Sequence, residues 1–201
     1  LYTPPDRPAL ETELRERLRH VPPDEVEDQM DALRRFRQAN VLRVAAADIT
    51  ESLPLMRVSD HLSHIAETVL NRAVSAAWSH LVESHGTPVC LMGGETYHSG
   101  FAVIAYGKLG GLELGYGSDL DLVFLHAGVA GEETRGGRRP IDSAYFFARL
   151  GQRVIHILSA RTSAGILYDT DMRLRPSGGA GMLVSSMEGF REYQMNTAWT
   201  W

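Results

Sequence analysis

The most constraining stretch of this chain is Phe101 to Leu125, where a short apolar run enters a glycine-rich loop and leaves it through two aspartates. Phe101 to Tyr106 reads as a strand, and the loop after it carries Gly107, Gly110, Gly111, Gly115 and Gly117. Ser118 then precedes Asp119-Leu120-Asp121, which opens a second strand over Leu120 to His126. Residues two apart on a strand point the same way, so Asp119 and Asp121 share a face while Leu120 and Leu122 turn to the core. Two carboxylates held side by side repel each other and are costly to keep ionised without a cation between them. A divalent metal meets that need, and carboxylates with nearby phosphates are the donors Mg²⁺ prefers. The competing account is an ordinary turn that happens to hold two acidic residues.

Composition narrows the remaining choices. At 201 residues, with 44% hydrophobic and 22% charged residues, the chain has the make-up of a soluble globular domain plus an appendage. A formal net charge of −5 argues against a nucleic-acid binder but not against a nucleotide substrate, because a metal can reverse the local field. Cys90 is the one cysteine, so no internal disulfide forms, and a reducing, cytoplasmic location is expected. Cys90 itself reads as a small buried apolar residue. No run is long enough to span a membrane, and no signal sequence is visible. Leu1 and Trp201 arrive without initiating or terminating patterns, so a piece of a longer protein is expected.

The first 58 residues read as helices: Ala9 to His20, stopped by Pro22-Pro23, then a longer one from an Asp24 N-cap to about Ala47. Val26, Met30, Leu33, Val41 and Val44 give the second helix an apolar stripe. Arg34, Arg35 and Arg37 beside it read as a solvated face, the alternative being contact with a neighbouring domain. A third helix follows the cap signal Ser59-Asp60, with Leu62, Ile65, Ala66, Val69, Ala73 and Leu81 inward, and ends at Gly86 and Pro88. His61 and His64 on it lack a third metal-ligand partner and read as surface residues. From Val89 the pattern turns to short strands alternating with helices, which indicates an α/β domain over 59–201. Gly128 to Arg139 reads as a mobile surface loop. A helix follows from Pro140 and Asp142 to near Arg161, with Phe147, Leu150, Val154 and Leu158 inward, and a last helix spans Ser185 to about Gln194.

Between those helices, Gly165 to Pro176 reads as a strand with Asp169, Asp171, Arg173 and Arg175 on one face and Thr170, Met172 and Leu174 on the other. One account is a salt-bridge ladder at a sheet edge. The other adds an aspartate to Asp119 and Asp121 around metal, with arginines reaching phosphate oxygens. Periodicity does not choose between Asp169 and Asp171.

A glycine turn, a spacer, Asp-x-Asp and a later strand aspartate are together similar to the nucleotidyltransferase superfamily of DNA polymerase β. Lys108 departs from the Gly or Ser usual after the turn glycine. The full stretch Gly107-Lys-Leu-Gly-Gly-Leu-Glu-Leu-Gly-Tyr-Gly-Ser-Asp-Leu-Asp-Leu-Val-Phe124 closely resembles the glutamine synthetase adenylyltransferases. So do Leu33 to Asp48, Val58-Ser-Asp-His-Leu62, Asp171-Met-Arg-Leu-Arg-Pro-Ser-Gly-Gly-Ala-Gly-Met-Leu-Val184 and Tyr193 through Trp201. The later segments look like the C-terminal, adenylylating half of those bifunctional enzymes.

The resemblance implies a polymerase β-like α/β (α+β) core, a mixed sheet flanked by helices, over 59–201, preceded by a helical segment over 1–58 and cut short at its C-terminus. It implies transfer of AMP from ATP to a tyrosine hydroxyl of glutamine synthetase, in control of nitrogen assimilation. The alternatives are the deadenylylating, phosphorolytic half, or a silent nucleotide-sensing domain. It places Asp119, Asp121 and Asp171 as catalytic ligands of two Mg²⁺ ions and leaves Asp169 outside the site. Gly107, Lys108, Ser118, Arg173 and Arg175 are the implied nucleotide contacts. Glutamine synthetase is the implied protein partner, with a PII-type signal protein acting through the full-length enzyme. Neither nucleic acid nor membrane is expected as a partner.

Overall fold

The computed structural model describes residues 3–22, 25–92, 95–97 and 99–198. Pro23, Asp24 and the Trp199 to Trp201 segment, to which helix-stop, capping and motif roles were assigned above, lie outside the described residues. The chain divides into two compact units: residues 1–76 with 106–120 and 155–170, and residues 77–105 with 121–154 and 171–201.

The first unit begins with α1, Arg7–Leu18, whose N-cap Asp6 accepts a hydrogen bond from the Ala9 amide at 3.0 Å. Leu10, Leu14 and Leu18 repeat every four residues and are buried. α2 spans Val26–Ile49 and buries Met30, Leu33, Phe36, Val44 and Ala47. α3 runs Leu55–His85 and starts ahead of the expected Ser59-Asp60 cap. Pro54 fixes the backbone at its entry, and the Pro54 carbonyl accepts from Val58 N–H at 3.3 Å. The expected apolar positions from Leu62 to Leu81 are all buried. His61 and His64 are not surface residues: both are half-buried, their rings meet edge-on at 6.3 Å, and burial pulls the His61 pKa down.

The arginines of α2 do not form a solvated face. Arg34 is 0% exposed and donates to the carbonyls of Met30 (2.8 Å), Gly165 (2.7 Å), Ile157 (3.3 Å) and Ala160. Arg37 lies 4.4 Å from the centre of the Tyr168 ring. Arg35 alone stays exposed, 3.7 Å from Asp31. A guanidinium is buried here because three of its acceptors belong to the end of a later helix and the turn after it, carbonyls that lack helical donors of their own.

The strands are short: β1 Gly86–Thr87, β2 Cys90–Met92, β3 Glu95–Tyr97 and β4 Phe101–Ala105. The four-residue helix α4, Gly107–Gly110, precedes β5, Leu120–His126, and β6 is Arg135–Gly136. Helix α5 covers Ser143–Ser159, followed by β7 Thr170–Asp171, β8 Val184–Ser186 and α6 Met187–Asn196. The main sheet runs β4-β5-β7, and β8 also pairs with β5. β4 is antiparallel to β5, with Phe101 opposite His126 and Ala105 opposite Leu122, whereas β8 is parallel to it. β5 is buried at every residue except the half-buried Asp121, as a central strand must be. The structure is therefore mixed helix and sheet, as expected from the pattern.

In the second unit, Trp78, Phe101, Phe124, Phe146 and Phe147 form one aromatic cluster with ring centres 5.3–6.1 Å apart. The loop over Gly128 to Arg139 is tied down. β6 pairs with β1, Thr134 is buried and donates to the His85 carbonyl, and Asp142 accepts from Gly131 N–H at 2.6 Å.

The expected strand over Gly165 to Pro176 shrinks to Thr170–Asp171. Beyond it the chain turns through Ser177 (φ 60°) and Gly178 (φ 54°), so the two-residue alternation does not continue. Gly181 passes the Pro176 carbonyl so closely that a β-carbon there would lie 1.9 Å from its oxygen.

Candidate active site

Leaving β4, the chain enters the glycine loop at Gly107, whose φ of 54° suits a residue without a side chain. Leu109 and Leu114 are buried and anchor the loop, while Lys108 is exposed. The Lys108 carbonyl accepts from Glu113 N–H at 2.7 Å, which closes the turn. Further on, the Tyr116 hydroxyl donates to Asp48 of α2 at 2.8 Å. Burial, reinforced by the Asp48 carboxylate, pushes the Tyr116 pKa up to about 12, so the hydroxyl keeps its proton and the tether persists at neutral pH. Asp48 and Tyr116 both fall inside the family-like segments, yet sequence spacing gave no sign that they meet. Ser118 closes the last turn: its Oγ accepts from Gly115 N–H at 3.0 Å. Asp119 follows, exposed, one residue ahead of β5.

In the second unit, Asp121 is half-buried on β5 and Asp171 lies on β7, the neighbouring strand in the sheet. Leu120 and Leu122 are fully buried, as the alternation required. Asp171 is held by Arg173: its Oδ2 accepts from Nη2 at 2.5 Å and from Nε at 2.8 Å, and its Oδ1 from the Arg173 amide at 2.8 Å. These hydrogen bonds hold its carboxyl below the usual carboxylate range. Asp169 is exposed, and its carbonyl accepts from Leu120 N–H at 3.0 Å. Arg175 donates to the carbonyls of Met172 (2.7 Å), Gly179 (3.1 Å) and Gly181 (3.3 Å), holding the turn that follows β7.

Among the described residues, no three His, Cys, Asp or Glu side chains converge on a point that could hold a metal. The donor chemistry nevertheless fits a hard divalent cation, because the candidates are all carboxylates. Asp171 already gathers a guanidinium against both its oxygens, the place a positive ion would take.

The chain belongs to the glutamate-ammonia ligase adenylyltransferase family, whose sequence model matches residues 1–201. It is 55% identical over its whole length to a bifunctional glutamine synthetase adenylyltransferase/adenylyl-removing enzyme of Thioalkalivibrio sulfidiphilus. The proteins of the same description from Pseudomonas syringae pv. tomato and Pseudomonas aeruginosa are 56% and 52% identical to it, again over all of this chain. The chain spans 20–21% of the length of these relatives.

Proposed function

We propose that this chain is the catalytic part of an adenylylating domain, transferring AMP from ATP to a tyrosine hydroxyl of glutamine synthetase and releasing pyrophosphate. The observation that carries this reading is Asp121 on the central strand β5 and Asp171 on the neighbouring β7, with the glycine loop ending in Asp119 one residue before β5. The family match over residues 1–201 supports the same reading. On this reading residues 59–201 form a polymerase β-like nucleotidyltransferase core, and residues 1–58 are the end of a preceding helical region. The enzyme works in the cytoplasm, and a PII-type signal protein acts through the full-length enzyme.

Asp119, Asp121 and Asp171 would hold two Mg²⁺ ions, which neutralise triphosphate charge and make the tyrosine hydroxyl more acidic. The chain's own residues position the reactants. Gly107 lets backbone approach the triphosphate, and Ser118, its Oγ already accepting from the turn, keeps its hydroxyl proton for a phosphate oxygen. Lys108 and Arg173 supply positive charge, while Arg175 contributes through the turn it holds. Asp171 accepts the tyrosine proton as the hydroxyl oxygen attacks the α-phosphorus and the bond to the β-phosphate oxygen breaks. Arg173 now holds both Asp171 oxygens, so Asp171 would be free to act in this way only once that guanidinium releases it.

The test is incubation of the chain with ATP, Mg²⁺ and unmodified glutamine synthetase, following labelled AMP. Incorporation supports adenylylation. Removal of AMP from modified glutamine synthetase in the presence of phosphate would support the phosphorolytic half, and ATP binding without either would support a sensor. Asp171→Asn should lower incorporation at least ~10²-fold while sparing ATP affinity, since the other two aspartates remain. Asp169→Asn should lose little. The reverse ranking, measured with circular dichroism as a folding control, would show that the third carboxylate is Asp169.

A further inference from the structure

The second unit contains a cavity of about 460 Å³ whose wall includes His80 and His85 of α3, Arg138 and Arg139 of the loop before α5, and Arg149 and Arg153 of α5. The α5 sequence sets its arginines against its apolar face. Phe146, Phe147, Leu150 and Val154 are buried in the core, while Arg149 and Arg153, one helical turn apart, line the cavity. Like charges at that spacing repel, and among the described residues none of the four arginines forms an ion pair. Glu83 is not among the lining residues; its charge only offsets in part the lowering of the His80 pKa. Burial and then the Arg153 charge pull the His80 pKa down, and burial and then the Arg149 charge do the same to Arg153. Four arginines lining one volume with no ion-pair partner among the described residues are stabilised by an anion that brings several oxygens at once. None of the lining residues is an aspartate of the candidate active site.

We propose that this cavity binds a compact multivalent phosphoanion, at a site distinct from the β5 and β7 aspartates. Guanidinium forks match phosphate oxygens in pairs, and the volume suits a di- or triphosphate group rather than a single small ion.

The site is tested by titrating inorganic pyrophosphate calorimetrically into the 201-residue chain, with EDTA present and ionic strength fixed by chloride. Saturable binding is expected. The double variant Arg149→Gln/Arg153→Gln should raise Kd at least ~10-fold, as expected when charge-assisted hydrogen bonds are lost. Arg138→Gln, on the exposed loop, should weaken binding with less risk to folding, and Asp121→Asn should leave it unchanged. Circular dichroism checks that each variant is folded. Unchanged affinity in both arginine variants overturns the proposal, as does loss of binding in Asp121→Asn alone. An acidic peptide that binds where pyrophosphate does not would also overturn it, by making the cavity a face for a protein segment. The outcome is independent of whether the chain adenylylates glutamine synthetase.

Discussion

Asp121→Asn should lower AMP transfer to glutamine synthetase by at least ~10²-fold without unfolding the chain, and Asp119→Asn should do the same. The substitution keeps the shape of the side chain and removes one full negative charge. At Asp121 the backbone is secured on both sides, because Leu120 and Leu122 are fully buried and Leu122 pairs with Ala105 across the sheet. The change is therefore felt by the cation the carboxylate would hold rather than by the fold. At the exposed Asp119 there is still less packing to disturb. Labelled AMP incorporation against Mg²⁺ concentration, with near-ultraviolet circular dichroism alongside, measures the effect. Near-normal turnover in either variant would remove the metal assignment and with it the proposed mechanism.

Arg34→Met should destabilise the chain by about 3 kcal/mol, a fall in Tm of roughly 6–12 °C at this size. Methionine keeps much of the length and none of the donors. The carbonyls of Ile157 and Ala160 then lose a donor, and that of Gly165 keeps only the Thr162 amide, at a part-buried helix end. Burial lowers the Arg34 pKa, yet the guanidinium remains charged because its acceptors stand in for water. Arg34→Lys should recover little, since one ammonium cannot reach carbonyls spread from Met30 to Gly165. Thermal unfolding decides the matter: a Tm close to that of the unaltered chain in Arg34→Met would show that the hydrogen bonds contribute nothing net.

What sequence alone revealed follows from which interactions are local. The β5 boundaries, the inward face of α3 and the buried face of α5 were legible because each rests on periodicity within one element. The glycine loop and its aspartates were legible because their spacing is itself the motif. Arg34 was misread because its acceptors lie far along the chain, and polarity by itself suggests water. The strand expected up to Pro176 failed because hydrogen bonds to Arg173 and Arg175 compete with sheet pairing, and the left-handed turn after Pro176 ends it. The tether between Tyr116 and Asp48 and the arginine-lined cavity were invisible for a related reason. Each is made by side chains whose separation in sequence carries no pattern.

The scattered composition of the first unit has a consequence during synthesis. Arg34 and its acceptor Gly165 are 131 residues apart, and the unit also needs residues 155–170. At a translation rate of about 5–20 residues per second, Arg34 waits roughly 7–26 s for the ribosome to deliver Gly165. Through that interval the Arg34 guanidinium lacks its carbonyl acceptors at Ile157, Ala160 and Gly165 and stays hydrated. The unit therefore closes only after residues 155–170 have been made, rather than in simple chain order. Slowing elongation downstream of Ile49 should lengthen the window in which a nascent-chain protease cleaves within α2.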